Sequence, residues 1–400
     1  MFWEILLAII LGVASGCLTG ITPGIHINLV AVLLVSSSAY LSGFFSFTAL
    51  ACFIIAMGIT HTFVDVVPSI FLGAPDESTA LGVLPGHRFL LKGLGFDAIK
   101  LSIIGAYFGL LASFLLFIPF YFLIKFTYSH INDYMGYFLI LVALYMILRD
   151  RTKLWAVFVF VLSGVLGVTI FSLETLKDPL FPLLSGLFGV SMLLMSINDK
   201  NCIPEQCLTT SIKLQKAKTL KATFAGNVSA FLTSTLPGLS SSIAATMSVQ
   251  IVKKLHDDGF LLLLGAIGTA GFSLSLVALI AIEKARNGAI IAVQSLLPKV
   301  TVSHIMVFLA VSLVAGSIAF LITYAISKKF ASFIVRVPYK ALVIGIIAFI
   351  TVLVILLSGW LGLLVLIVST CVGLIPAVVK CTRTQAMGCL MVPVMLYFLA

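Results

Sequence analysis

The sequence predicts an all-α polytopic membrane protein built from two inverted repeats, with about ten transmembrane helices and four re-entrant hairpins. Three observations support this fold class. Of the 400 residues, 61% are hydrophobic and only 10% are charged, a balance that is too apolar for a water-soluble domain of this size. Apolar stretches of roughly 20 residues, the length that crosses the hydrocarbon core, recur along the whole chain. The third observation is an internal repeat.

The repeat relates residues 18–24, Leu-Thr-Gly-Ile-Thr-Pro-Gly, to residues 232–238, Leu-Thr-Ser-Thr-Leu-Pro-Gly. The offset of 214 positions also pairs Ala31 with Ala245 and is close to half the chain, as duplication of one unit requires. We therefore predict three segments. They are a first inverted repeat (1–198), a cytoplasmic linker (199–220) and a second inverted repeat (221–400).

Basic residues predict the orientation, because Lys and Arg concentrate in cytoplasmic loops. Residues 1–87 contain neither, whereas six basic clusters follow between Arg88 and Arg383. When every cluster is placed inside, both termini lie outside and ten spans result. These spans are 44–66, 99–126, 133–148, 154–172, 180–198, 259–282, 301–327, 341–357, 359–379 and 384–399.

Four further apolar stretches are broken in the middle or flanked by Gly and Pro, and we predict that they are re-entrant hairpins. They are 5–38, 68–86, 222–252 and 285–299. On this map 68–86 returns to the cytoplasm and 285–299 returns to the outside, so the two halves are inverted. The alternative is that 5–38 and 222–252 are kinked pairs of full spans. Inverted repeats with interrupted helices near the midplane are typical of secondary transporters.

The Pro-Gly pairs at 23–24 and 237–238 predict an anion site. Such a pair ends one helix and allows another to begin, and the free N–H groups and dipole of the second helix favour negative charge. Two such ends that face each other near the midplane would bind an anionic substrate. The candidate substrate-binding residues are Thr19, Thr22, Pro23, Gly24, His26, Asn28, Thr233, Thr235, Pro237, Gly238, Ser240, Ser241, Ser242 and Arg286.

Charged residues near the hairpins are further candidates. Arg286 could balance a substrate carboxylate or phosphate, or form an ordinary interfacial ion pair with Glu283. A carboxylate at bilayer depth costs on the order of 3 kcal/mol and usually faces a cavity or a partner. His61 and Asp65 are four residues apart, so on a helix they share one face and could accept protons. The candidate ion-coupling residues, for H+ or Na+, are His61, Asp65, Asp76 and Glu77. The last two are alternatively solvated loop residues.

Other function classes find little support in the sequence. The basic residues that give the net charge of +10 lie in short loops rather than on one continuous face, which argues against a nucleic-acid partner. The seven cysteines show no Cys-x-x-Cys spacing. The chain contains neither a His-Glu-x-x-His motif nor a Gly-x-Ser-x-Gly elbow. We therefore predict that the protein is not an enzyme and holds no metal or cofactor, apart from a coupling ion.

The motif Gly16-x-x-x-Gly20-x-x-Pro23-Gly24 resembles the opening signature of the TctA family, the large permease subunit of tripartite tricarboxylate transporters. Residues 236–245, Leu-Pro-Gly-Leu-Ser-Ser-Ser-Ile-Ala-Ala, are similar to a second family motif, and residues 74–93 are similar to an intermediate one. The chain departs from the family pattern in being shorter than typical members. It also has His26, Asn28 and Ser240 to Ser242 at motif positions, and it lacks a Gly-Gly-Ser-Thr-Thr run, which leaves the substrate open.

The resemblance implies a carboxylate permease that works with a small membrane subunit and an extracytoplasmic binding protein, unless a shorter variant acts alone. Because the chain also has the duplicated break and a buried acid and histidine, we predict a secondary transporter of a di- or tricarboxylate in the plasma membrane of a prokaryote. It would be driven by H+ or Na+ through alternating access about the paired Pro-Gly hairpins. The alternative function is a polyprenyl-phosphate (lipid carrier) translocase. Some such carriers resemble this plan of paired Pro-Gly hairpins, and the same helix ends suit a phosphate monoester.

Overall fold

The computed structural model describes residues 2–22, 27–73, 80–131, 134–176, 179–196, 204–209, 212, 214–235, 241–252, 255–285, 287–297, 299–335 and 339–399. The helices before the linker are α1 Phe2–Ile21, α2 Ile27–Ser36, α3 Ser38–Leu41, α4 Phe47–Val64, α5 Val66–Leu72, α6 Val83–Leu91, α7 Gly95–Leu115, α8 Phe117–Ile131, α9 Met135–Arg149, α10 Lys153–Phe171, α11 Leu180–Leu184 and α12 Ser191–Ser196. Those after it are α13 Lys216–Thr235, α14 Ser241–Ile251, α15 His256–Ile282, α16 Gly288–Leu296, α17 Val302–Ile334, α18 Tyr339–Val378 and α19 Gly388–Leu399. A π-helix at Ser185–Val190 joins α11 to α12, and 3₁₀ turns precede α6 and α19.

The all-α polytopic membrane fold is confirmed. Each of the ten predicted spans coincides with helix in the structure. Within the described ranges, seven helices are long and apolar enough to cross a membrane, and three shorter apolar helices accompany them. The helix α18 breaks at Gly359, whose φ of 68° and ψ of −163° are non-helical. Glycine adopts this conformation without steric cost, and the break coincides with the predicted loop at 358–359.

The described arms of two predicted hairpins contact each other. The helices α13 and α14 lie side by side, with Ser229 Oγ hydrogen-bonded to Ser248 Oγ and 3.5 Å from the carbonyl oxygen of Ala244. The helices α5 and α6 also pack against each other, because a Cβ at Gly86 would lie 2.7 Å from the side chain of Ile70. Residues 74–79 and 236–240, which join these arms, lie outside the described residues, so the hairpins stay predictions.

One predicted hairpin differs in the structure. The stretch predicted as a hairpin at 285–299 contains a single nine-residue helix, α16, which Asn287 caps by accepting a hydrogen bond from Ala289 N and which ends at Leu296. In the stretch 5–38, the helix α1 has 20 residues and is long enough to cross the membrane, a length that suits the predicted alternative of full spans. The span predicted at 44–66 continues through α5 to Leu72.

Segments that were predicted to share one side of the membrane contact each other. On the predicted cytoplasmic side, Arg88 lies 3.5 Å from Asp257. On the predicted outer side, Lys284 Nζ donates a hydrogen bond of 2.7 Å to Tyr128 Oη. The grouping of the loops into two faces is therefore consistent with the pattern of basic residues.

The packing of the first half has counterparts in the second half. The helix α1 packs along α4, and α13 packs along α15. Across the halves, α7 packs on α15 and α17 packs on α4. The large hydrophobic core surrounds α4, α7, α15 and α17, and a second core lies among α9, α10, α18 and α19.

Candidate functional site

The candidate site lies where α4 and α15 cross, and these are the two most buried of the long apolar helices. The ring of Phe272 on α15 packs against Gly58 on α4, where a Cβ would overlap the ring. One turn further along α4, Thr62 Oγ1 lies 3.0 Å from Thr269 Oγ1 of α15. The crossing therefore brings hydroxyl groups of both halves together inside the membrane.

A stripe of glycines on α1 brings a predicted substrate-binding residue to a predicted ion-coupling residue. At Gly12, Gly16 and Gly20, an added Cβ would lie 2.6, 2.5 and 2.7 Å from the nearest α4 atom, so only small residues allow this approach. As a result Thr19 Oγ1 lies 3.1 Å from His61 Nδ1. Because Thr19 donates its one hydroxyl hydrogen to Gly16 O at 3.2 Å, the geometry favours a protonated Nδ1 on His61.

Asp65 occupies the joint between α4 and α5. Its backbone N–H donates to His61 O at 2.9 Å, which continues the turn of α4. Pro68 has no N–H to donate to Val64 O, so the ladder of main-chain hydrogen bonds is interrupted at this point. The carboxylate of Asp65 is buried, and the joint places it at the wall of a cavity.

The cavity has a volume of about 30 Å³ and lies between α4, α5, α7 and α15. Its polar lining consists of the side chains of Asp65, Thr62, Ser69 and Ser102. The remaining lining is apolar or glycine, and none of the described lining residues is basic. The described lining therefore combines one carboxylate with three hydroxyl groups.

Close packing of α7 on α15 positions Ser102 in this cavity. A Cβ at Gly105 would overlap the backbone oxygen of Leu262, and one at Gly265 would overlap the backbone oxygen of Ser102. Glycine at these positions lets the two helix backbones touch. By contrast, a Cβ at Gly268 would meet nothing within 4 Å, because Gly268 faces the open space of the cavity.

His61 and Asp65 were predicted to share one helix face and to form a proton-accepting pair. In the structure His61 Nδ1 lies 3.1 Å from Thr19 Oγ1 of α1, and Asp65 lines the cavity. The proton-accepting role of the pair stays a prediction.

The described substrate-site candidates lie at the helix ends on either side of the two Pro-Gly pairs. Asn28, near the start of α2, packs against Gly288 at the start of α16, where a Cβ would lie 2.6 Å from its Cγ. Thr235 ends α13, is fully buried, and has no hydrogen-bond partner for Oγ1 among the described residues. The candidates Thr22, Thr233, Ser241 and Ser242 also lie in the described ranges.

The remaining candidates lie outside the described residues. They are Pro23, Gly24, His26, Asp76, Glu77, Pro237, Gly238, Ser240 and Arg286. Their roles stay predictions.

The cavity also contains residues that sequence reasoning missed. Thr62 and Ser69 lie three residues before and four residues after Asp65, so helical spacing alone would have placed them on its face. No such signal identifies Ser102 and Gly268, because their position depends on which helices are neighbours. Among the described residues, no group of three or more His, Cys, Asp or Glu side chains could hold a metal ion.

Comparison with known proteins identifies the family. A model of the tripartite tricarboxylate transporter TctA family matches residues 6–388. The chain belongs to the TctA family. An uncharacterised protein of Methanocaldococcus jannaschii is 30% identical to it over 356 residues, which are 88% of this chain and 87% of that protein. No solved structure matches.

TctA proteins are components of tripartite transporters, and the predicted resemblance is therefore confirmed. The membership places the chain among membrane transporter components.

Proposed function

We propose that this TctA protein is the permease of a secondary transporter that carries a small di- or tricarboxylate and is driven by Na+ or H+. The observation that carries the proposal is Asp65, a carboxylate buried at the wall of a cavity between the most buried helices. A charged group is costly at this depth. Reversible binding of a cation at this carboxylate would supply the coupling step.

The helix ends near the Pro-Gly pairs support an anion site close to Asp65. The described helices end at Ile21 and Thr235 and resume at Ile27 and Ser241, and both pairs of positions differ by the repeat offset of 214. Helix N-termini attract anions. The buried hydroxyl of Thr235, without a partner among the described residues, is suited to donate a hydrogen bond to a substrate carboxylate.

The packing of the two halves supports alternating access. The central helices α4 and α15 come from different halves and contact each other directly. Relative movement of the halves would open the site to one side at a time. We include in the proposal the inverted repeats at 1–198 and 221–400, both termini outside the cytoplasmic membrane, and partnership with a small membrane subunit and an extracytoplasmic binding protein.

Uptake in proteoliposomes tests the proposal. Labelled di- and tricarboxylates are offered under an imposed Na+ or H+ gradient, with and without candidate partner subunits. We expect gradient-dependent uptake that Asp65→Asn abolishes and that Glu174→Gln, a change of an exposed loop carboxylate, leaves intact. Absence of gradient-dependent uptake across a broad panel of carboxylates would remove the proposal.

A further inference from the structure

We infer that Arg88 and Arg383 form a binding site for a compact dianion, a phosphate or a dicarboxylate, on the predicted cytoplasmic side. The site uses neither Asp65 nor the residues of the Pro-Gly pairs. The inference goes beyond the proposed function and does not rest on it. It is based on two guanidinium groups that the fold brings together from the two halves of the chain.

The second hydrophobic core brings the two arginines to one place. Arg383 opens the 3₁₀ turn before α19, and Ala386 of this turn belongs to the same core as Ala244 of α14. Leu81, in the 3₁₀ turn before α6, packs against that core. Helix α14 contacts both turns. Arg88 follows Leu81 on α6, and the charge of Arg88 acts on Arg383.

The guanidinium group of Arg383 lacks an acceptor of its own. No hydrogen bond or ion pair joins it to another described residue, and the side chain is only partly exposed. Burial and, to a smaller extent, the charge of Arg88 lower the pKa of Arg383 below its ordinary value. A guanidinium stays charged and has five N–H donors, so burial without an anionic partner destabilises the folded protein. A bound anion would remove this cost.

Arg88 is held only loosely by the protein. Its Nη1 lies 3.5 Å from both carboxylate oxygens of Asp257, which is longer than the roughly 2.9 Å of an ordinary N–H···O bond. The side chains of the two residues are 55% and 40% exposed. An exposed ion pair of this kind contributes little to stability. Arg88 can therefore turn to a second anion at small cost.

The two guanidinium groups define the chemistry of the ligand. A guanidinium fork donates parallel hydrogen bonds to two oxygens of a carboxylate or a phosphate, and two such cations match two negative charges. The ligand is either a free anion or the phosphate monoester headgroup of a lipid, because both present the same oxygens. A dianion between Arg88 and Arg383 would join the two halves. Its binding would favour the conformation in which the guanidinium groups are close.

The first measurement is the melting temperature of the purified full chain in detergent, titrated with inorganic phosphate against chloride. Constant ionic strength keeps the screening of charges fixed, and a ligand of the folded state raises the melting temperature in a saturable way. Arg88→Gln and Arg383→Gln each remove one guanidinium. The matched control is Arg151→Gln, which removes an exposed arginine on the same predicted side. We expect wild-type affinity in the control and about tenfold or greater loss in the other two variants.

The melting temperature without phosphate separates a ligand-binding arginine from a structural one. Arg383→Gln removes a charge that has no described acceptor and that Arg88 repels, so we expect it to melt no lower than Arg151→Gln in chloride alone. A marked fall in the melting temperature of Arg383→Gln would show that this arginine already has a partner within the protein. That result would overturn the inference.

Vesicles distinguish the two sources of the anion. The same proteins are compared in phosphatidylcholine with and without phosphatidic acid, whose headgroup is a phosphate monoester. Stabilisation of the wild type by phosphatidic acid but not by free phosphate, with loss of the effect in Arg383→Gln, identifies a lipid ligand. The reverse pattern identifies a soluble one. A wild type that responds to neither, or equal responses of the wild type and both arginine variants, would also overturn the inference.

Discussion

Replacing Asp150 by asparagine should destabilise the contact between the α9–α10 loop and the segment before α19. Asp150 Oδ2 accepts hydrogen bonds from Thr382 N at 3.0 Å, from Thr382 Oγ1, and from Gln385 Nε2 at 3.2 Å. Its Oδ1 accepts one from Thr152 N at 3.0 Å. A single loop carboxylate therefore joins the first half of the chain to the second half.

The lowered pKa of Asp150 gives the size of the destabilisation that we expect from Asp150→Asn. Burial alone would raise this pKa, but the hydrogen bonds from Thr382, Thr152 and Gln385 outweigh it and lower the pKa from 3.8 to about 2. One pKa unit corresponds to about 1.4 kcal/mol, so the charged carboxylate stabilises the folded state by about 2 kcal/mol at neutral pH. Asparagine keeps the shape but loses the charge, and we expect most of this stabilisation to disappear.

The pH dependence of folding stability provides an independent check that the charged form of Asp150 is the stabilising one. Because the folded-state pKa lies below the unfolded-state value, the contribution is fully present above pH 3.8 and is lost as the pH falls towards 2. The assay is thermal unfolding of wild type, Asp150→Asn and the exposed-loop control Glu174→Gln in the same detergent. The difference between wild type and Asp150→Asn should shrink from pH 5 to pH 3. Equal stability of the two at pH 7 would refute the reasoning.

Three further changes have defined outcomes. Gly58→Ala should lower stability by about 1 to 3 kcal/mol, since its Cβ overlaps the Phe272 ring, and the second change Phe272→Leu should restore part of the loss in thermal unfolding. His61→Leu should cost about 1 kcal/mol by removing the buried hydrogen bond to α1, and an unchanged melting temperature would contradict that contact. Pro237→Ala combined with Gly238→Ala should abolish uptake with membrane insertion retained, and wild-type uptake rates would contradict the site assignment.

The sequence predicted the helices well because the hydrocarbon core fixes their length and composition. The predicted spans lie in helical residues, and the predicted boundary at 358–359 coincides with the break at Gly359, where a glycine stands between two long apolar runs. The stretch 285–299 shows the limit of this reasoning. Its apolar composition suggested a hairpin, but the cap at Asn287 starts one short helix instead. The capping residue decides where this helix starts, and the pattern of apolar residues alone does not reveal a cap.

The candidate site was predictable only in part. Helical spacing placed His61 and Asp65 on one face, but it did not show that His61 contacts Thr19 of α1 or that Asp65 lines a cavity. Both features depend on which helices are neighbours. Ser102 completes the cavity only because glycines bring α7 against α15, and such proximity across the sequence has no local signal.

The repeat offset distinguishes the two proposed sites. An offset of 214 pairs Thr19 with Thr233, so the helix ends near the Pro-Gly pairs keep a hydroxyl in both halves. The same offset pairs Asp65 with Leu279, so the second half has no carboxylate at the corresponding position. A substrate site built from both repeats would then stand beside a cation-binding carboxylate that only the first repeat supplies. Since a ligand shifts a conformational equilibrium only through its differential affinity for the two states, the proposed coupling requires that the surroundings of Asp65 differ between the two states of the transporter.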